Sequence, residues 1–251
     1  MAAIDIDSLW EYGDPAASEA RFRAQLAAAQ GDDRLELLTQ IARTDSLRGR
    51  FAEAHRTLDE VEAGLSRAGP RPRIRYLLER GRTFNSAGDA SRARGLFLDA
   101  WEAARGAGEE GLAVDAAHMV AITESGTPAA LEWNRRGLAL ARDSHDAKAR
   151  SLIAAMLNNS AWDLHAMGRY EEALAAFEAA EQAWTRRGGR RQVEIARWSV
   201  ARCLRSLGRH REALAILHAL EAAQVARGPV DPDVIEEIAA NAAAISAPAR
   251  P

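Results

Sequence analysis

The chain has 251 residues, 47% of them hydrophobic and only 6% aromatic, and its 33 basic and 36 acidic side chains give a formal charge of −3. That balance excludes a global electrostatic footprint for nucleic acid or an anionic membrane surface. The single Cys203 excludes an intramolecular disulfide and a cysteine-built zinc site, and suits a reducing compartment.

The opening MAAIDIDSLWEYGD lacks a basic region followed by an apolar core, so it does not read as a secretory signal. No stretch reaches the roughly 18 apolar residues that span a bilayer. A cytoplasmic, all-α chain is expected, because alanine is abundant and only eight residues are proline.

Residues 1–30 read as a degenerate capping repeat: Asp14 is placed to cap a helix whose first residue is Pro15, and Phe22 supplies its large apolar side chain. Five turn glycines follow, Gly49, Gly88, Gly126, Gly168 and Gly208, spaced 39, 38, 42 and 40 residues apart. Four of them lie between two apolar-periodic segments of matching pattern, and the spacing divides 31–227 into five repeats at about 31–70, 71–108, 109–146, 147–189 and 190–227. In the first, Leu38 and Ala42 precede the glycine, and Phe51, Ala54, Leu58 and Val61 follow it. The second carries Leu77, Gly81 and Phe84, then Ala93, Phe97 and Ala100. The third aligns least well, with Ala117 and Val120 before the turn and Ala130 and Gly137 after it, and needs one extra residue in ESGTP. The fourth has Leu157, Ala161 and Leu164, then Tyr170, Ala173, Phe177 and Ala180. The fifth has Val200, Ala201 and Leu204, then Ala213, Leu217 and Leu220. Spacings of three and four put each set on one helical stripe. Arg71, Pro72 and Arg73 mark the break before the second repeat, and Arg186 to Arg191 the loop before the fifth. From Pro232 to Ile245 one last helix is expected, with SAPARP as a frayed tail, so that 228–251 closes the array.

Small residues flanking a turn glycine, an aromatic beyond it and a large residue on the second helix resemble the tetratricopeptide repeat over roughly 31–227. Two features depart from it: the usual 34-residue unit is lengthened to about 40, and the proline that often closes the second helix is missing. The long unit and the Leu157-Asn158-Asn159 stretch resemble kinesin light chain repeats and many bacterial proteins. The resemblance implies a right-handed α-solenoid of about five antiparallel helix pairs with degenerate capping helices, whose first (A) helices line a concave groove.

On that reading, side chains opposite the core stripe of each A helix point into the groove. Six residues before the turn glycines stand Arg43, Arg82, Trp162 and Arg202, with His118 in the third repeat. Three before stand Ser46, Asn85, His165 and Arg205, and ten before stand Thr39, Leu78, Asn158 and Trp198. Arginine offers a fork of donors for carboxylates, asparagine serves a peptide backbone, and tryptophan buries a large rigid surface. The expected peptide-binding set is therefore Arg43, Arg82, Asn85, His118, Asn158, Trp162, His165, Trp198, Arg202 and Arg205. The resemblance gives Arg82, Asn158 and Arg202 the role of holding a backbone or terminal carboxylate. The competing reading leaves the arginines solvated or pairs them with Glu79 and Glu194, and packs Trp162 and Trp198 against adjoining helices. Arg82→Ala and Trp162→Ala are expected to weaken partner binding without unfolding the array.

No HExxH, GxSxG or phosphate-loop spacing occurs, the six histidines are scattered, and no metal or cofactor is required. The Asp143-Ser144-His145-Asp146 stretch reads as a solvated connection rather than a metal site, and Cys203 as a buried inert thiol. The expected function is a non-enzymatic, monomeric adaptor for a protein or peptide, with acidic or C-terminal carboxylate groups on the partner as the complement of the arginines. A ligand-responsive regulatory module acting on a separate effector, and a self-assembling structural repeat, are the alternatives.

Overall fold

The computed structural model describes residues 4–246, and the tail from residue 247 on, part of the expected SAPARP segment, lies outside them. The described residues hold no strand. After a 3₁₀ turn at Asp7–Leu9 come α1 (Pro15–Leu26), α2 (Gly31–Leu47), α3 (Phe51–Gly64), α4 (Pro70–Ser86), α5 (Ala90–Ala107), α6 (Glu110–Thr123) and α7 (Pro128–Asp143). These are followed by α8 (Ala147–Ser151), α9 (Ile153–Ala166), α10 (Tyr170–Arg187), α11 (Arg190–Ser206), α12 (His210–Val225) and α13 (Pro232–Ser246). Helices adjacent in sequence pack on one another in pairs, which is the all-α solenoid class. Contacts group the chain into two compact units. One holds residues up to Glu124 with Ala139–Arg150, and the other Ser125–Leu138 with residues from Ser151 on.

Local chemistry explains where each A helix stops. Gly49, Gly88, Gly126, Gly168 and Gly208 all have φ between 73° and 90°, a region closed to most side chains. In four of the five turns the residue after the glycine donates its amide to the carbonyl five residues back: Arg50 to Asp45, Asp89 to Phe84, Arg169 to Leu164 and Arg209 to Leu204, at 2.9–3.0 Å. The glycine amide closes the inner ring at 3.0 Å in each. This is the Schellman stop, and it satisfies carbonyls that would otherwise end the helix unpaired.

The third turn is built differently. The Gly126 amide donates 2.7 Å to Asp163 Oδ1, Ser125 Oγ reaches the same oxygen at 3.2 Å, and Asn134 Nδ2 reaches Asp163 Oδ2 at 3.2 Å. Asn134, fully buried on α7, stands where Phe97 and Phe177 stand in neighbouring hairpins. A polar side chain at that position is why this repeat aligns poorly.

At the N-terminus, Asp14 Oδ1 accepts from the amides of Ala16 and Ala17 at 3.0 Å, so the expected cap is present. In the first unit Phe22, Leu37, Ile41, Leu58 and Val61 form a core that Trp10 and Tyr76 join. In the second, Ala161, Phe177, Val200, Leu204 and Leu217 do so. Cys203 is fully buried there, burial pushes its thiol up to about 11, and its sulfur donates to the Tyr170 carbonyl at 3.3 Å.

Two local expectations change. Arg71, Pro72 and Arg73 lie inside the first turn of α4, which starts at Pro70 behind Gly69. The Asp143 to Asp146 stretch joins two helices with Asp143 and His145 exposed, but it is anchored: Ser144 is buried and donates 2.5 Å to Glu110, while Asp146 accepts from the amides of Gly111 and Lys148. The junction needs those acceptors because it starts α8 and meets the first turn of α6 together.

Close approach of α4 and α5 rests on Gly81, where an added Cβ would lie 2.5 Å from the buried Phe97 ring. Gly95 on α5 has open space at the same test. Gly95→Ala is therefore expected to stabilise by about 1 kcal/mol through helix propensity, whereas Gly81→Ala is expected to destabilise, since overpacking costs about 1–3 kcal/mol. Chemical denaturation of the two variants checks the opposite signs.

Candidate functional site

In the first unit the A helices are α2, α4 and α6, and they are buried far more completely than their partners. Nearly every residue from Glu36 to Ser46 is buried, including Thr39 and Ser46, and on α4 Leu78 is buried too. These three expected groove positions thus belong to the interior. The N-terminal segment contributes: Trp10 Nε1 donates to Gln40 at 3.0 Å, and Trp10 stacks on Tyr12 with centroids 5.1 Å apart.

Charge is concentrated on the same helix faces. Arg82, with a side chain 12% exposed, bonds Glu79 at 2.7 Å and Asp115 at 2.6 Å. Arg43 lies 3.5 Å from Glu79 with its guanidinium over the Trp10 ring at 5.2 Å. Arg75 holds Glu36 at 2.7 Å, Arg71 lies at 3.4 Å from Glu36 and 3.6 Å from Glu109, and Lys148 on α8 pairs with Asp7 at 3.0 Å. Burial works against the Asp115 charge, but Arg82 and then Arg43 outweigh it and hold its carboxyl at about 2. Burial also lowers the His118 pKa, opposed by Asp115 and assisted by Arg82. Part of this set lines a cavity of about 240 Å³ whose wall includes Trp10, Tyr12, Arg43, Arg75, Glu79 and Asp115. Asn85 lies one turn beyond Arg82 on α4, half-buried.

The second unit gathers the remaining expected residues. Trp162 on α9 packs edge-on against Phe177 at 4.9 Å, lies 6.2 Å from Trp198 of α11, and touches His165 at 5.4 Å. Trp198 donates its indole N–H to the Asp233 carbonyl at 3.1 Å. The His165 Nε2 is 2.9 Å from Ser206 Oγ, and its pKa is lowered by burial and then by Arg202 and Arg205. Arg205 is bound by the buried Glu237 of α13. Arg202 donates to Ser206 at 2.8 Å and stands 3.8 Å from Glu237. Asn158 is half-buried on α9. Glu194 pairs with Arg227 and Gln224, not with Arg202.

Both ideas about the inner arginines therefore have a place. Arg82 and Arg205 are engaged by buried carboxylates, while Arg43 and Arg202 are held only at 3.5 Å and 3.8 Å by theirs. Sequence reasoning missed Trp10, Tyr12, Gln40 and Glu237 as neighbours of these positions. The one available signal was the i, i+3 spacing of Glu79 with Arg82 and of Asp115 with His118. Among the described residues, no three His, Cys, Asp or Glu side chains are grouped to hold a metal ion. No helix among them is long and apolar enough to cross a membrane.

The family model for the tetratricopeptide repeat matches residues 152–224. No curated protein matches the chain. Among solved structures, the kinesin light chain TPR-like repeats of Podosopora anserina superpose with a TM-score of 0.64 at 18% identity, over 80% of this chain and 100% of that one. The apo form of RapI gives a TM-score of 0.71 at 14% identity, over 90% of this chain and 65% of that one. NprR, in complex with its cognate peptide NprX, gives 0.60 at 16% identity, over 96% and 70%. At such identities the likeness is one of fold. Residues 152–224 belong to the tetratricopeptide repeat family, and the chain has the all-α helix-pair fold of the tetratricopeptide-type repeat structures.

Proposed function

We propose that this protein is a non-enzymatic interaction module that takes a peptide or extended protein segment on the faces of its A helices. The observation that carries the reading is the set on α9 and α11, where the half-buried rings of Trp162 and Trp198 sit beside Arg202 and Asn158. Large rigid rings next to a cation with donors to spare is the composition of an interface hot spot. Arg202 is the residue that would read a partner's carboxylate, since its fork is bound by one hydroxyl and lies 3.8 Å from Glu237. A role in protein interaction fits the fold: NprR was crystallised with its cognate peptide.

The test is selection of binding peptides from a random display library, followed by titration of the purified chain. Arg202→Ala is expected to weaken carboxylate-bearing ligands by about tenfold or more, and Trp162→Leu to weaken most ligands, with helicity retained. Unchanged affinity in both variants would remove the α9–α11 face from the interaction.

A further inference from the structure

The cavity of the first unit has a charge deficit that its own residues do not repair. Six carboxylates line or back it: Asp7, Glu36, Glu79, Glu109, Asp115 and Asp146. Against them stand five cations: Arg43, Arg71, Arg75, Arg82 and Lys148. His118 is not counted among them, histidine being neutral in the formal charge at pH 7. The shortfall has an atomic address. Glu79 is 2% exposed, and its Oε1 accepts from Arg82, but its Oε2 has no hydrogen-bond partner. A buried carboxylate oxygen without a donor forfeits the hydration it had in water, and such groups in native proteins call for an explanation.

Three further features say what would complete the site. Its volume of about 240 Å³ suits one long side chain rather than a drug-sized ligand. One wall is the stacked Trp10–Tyr12 pair, and Arg43 already lies over both rings, 5.2 Å from one centroid and 5.9 Å from the other, so this wall accepts a cation. Arg43 is also the residue most easily moved, because its ion pair with Glu79 spans 3.5 Å while Arg82 and Arg75 hold their partners at 2.6–2.7 Å. Because Glu79 Oε2 is itself buried, a ligand reaching it requires Arg43 to give way.

We propose that this cavity binds an organic monocation the size of a lysine or arginine side chain, presented by a bound peptide and received by Glu79 Oε2 against the Trp10–Tyr12 pair. The inference rests on the peptide-binding reading and adds a ligand chemistry opposite in sign to the carboxylate assigned to Arg202.

The experiment uses the full chain and two blocked amino acids as probes, Nα-acetyl-lysine methylamide and its norleucine counterpart, together with the display library. By calorimetric titration the lysine probe is expected to bind at least about tenfold more tightly than the norleucine probe, the worth of one charge-assisted hydrogen bond. Glu79→Gln, which keeps the acceptor for Arg82, is expected to abolish that preference while leaving the melting temperature near that of the wild type. Equal binding of the two probes to the wild type overturns the proposal, as does an undiminished preference in Glu79→Gln. Library ligands without any basic residue would overturn it while leaving the interaction reading standing. A lysine probe bound through Glu79 with no peptide captured would do the reverse.

Discussion

Arg82→Ala is expected to lower the unfolding free energy by about 3–5 kcal/mol, the effect of stripping one partner from a buried ion network. Arg82 answers Glu79 and Asp115 at once, and their side chains are only 3% and 12% exposed. Arg82→Lys should recover only part of the loss, because a single ammonium cannot span two carboxylates as a guanidinium fork does. Replacing all three members by Met, Gln and Asn should return most of the stability, since the network offsets its own desolvation rather than adding a large surplus. Acid titration gives a second reading. The Asp115 carboxyl is depressed from 3.8 to about 2, so its stabilising contribution is complete above 3.8 and is lost as pH falls from there toward 2. The alanine variant should lack that acid limb. A loss below about 1 kcal/mol on urea denaturation would show that the network is solvated. The expected loss contradicts the simpler idea from sequence that truncating Arg82 spares the fold.

Asp163→Ala is expected to cost about 2–4 kcal/mol, because it strands the Gly126 amide, the Ser125 hydroxyl and the Asn134 amide around a buried position. Asp163→Asn should cost far less. The Asn134 Oδ1 has no partner, so a flip of that amide lets it accept from the new side-chain N–H₂ while the Gly126 bond is kept. Equal losses in the two variants on thermal melting would mean that the cost is one of packing and not of stranded donors.

The same two residues mark where sequence reading stopped. Four hairpins were legible because their stops depend on glycine at φ > 0 and their seams on Ala, Phe and Leu at spacings of three and four, features local to some 30 residues. The third was obscure because Asp163, a hairpin away, replaces the backbone lock, and Asn134 replaces the large apolar residue. For the candidate site, helical offsets found which positions share a face but not what covers that face. Thr39, Ser46 and Leu78 fall on the expected face and are nonetheless buried, in a unit where Trp10 reaches back to Gln40. Arg43 and Arg82 have the same offset, yet one is loosely held and the other locked, a difference made by Asp115 from the next hairpin.

The bond that closes four of the turns is made by the main chain, so the side chain after the glycine is left to local partners: Asp89 caps α5 through the Arg92 amide, Arg50 pairs with Asp45 and Glu19, and Arg169 and Arg209 each pair with a glutamate three residues on. Arg50, Asp89, Arg169 and Arg209 occupy that place with opposite charges and the same geometry. A lineage can therefore drift at these points without losing the count of its helices. Inheritance of the architecture and acquisition of new surface properties are carried by different letters of the same short segment.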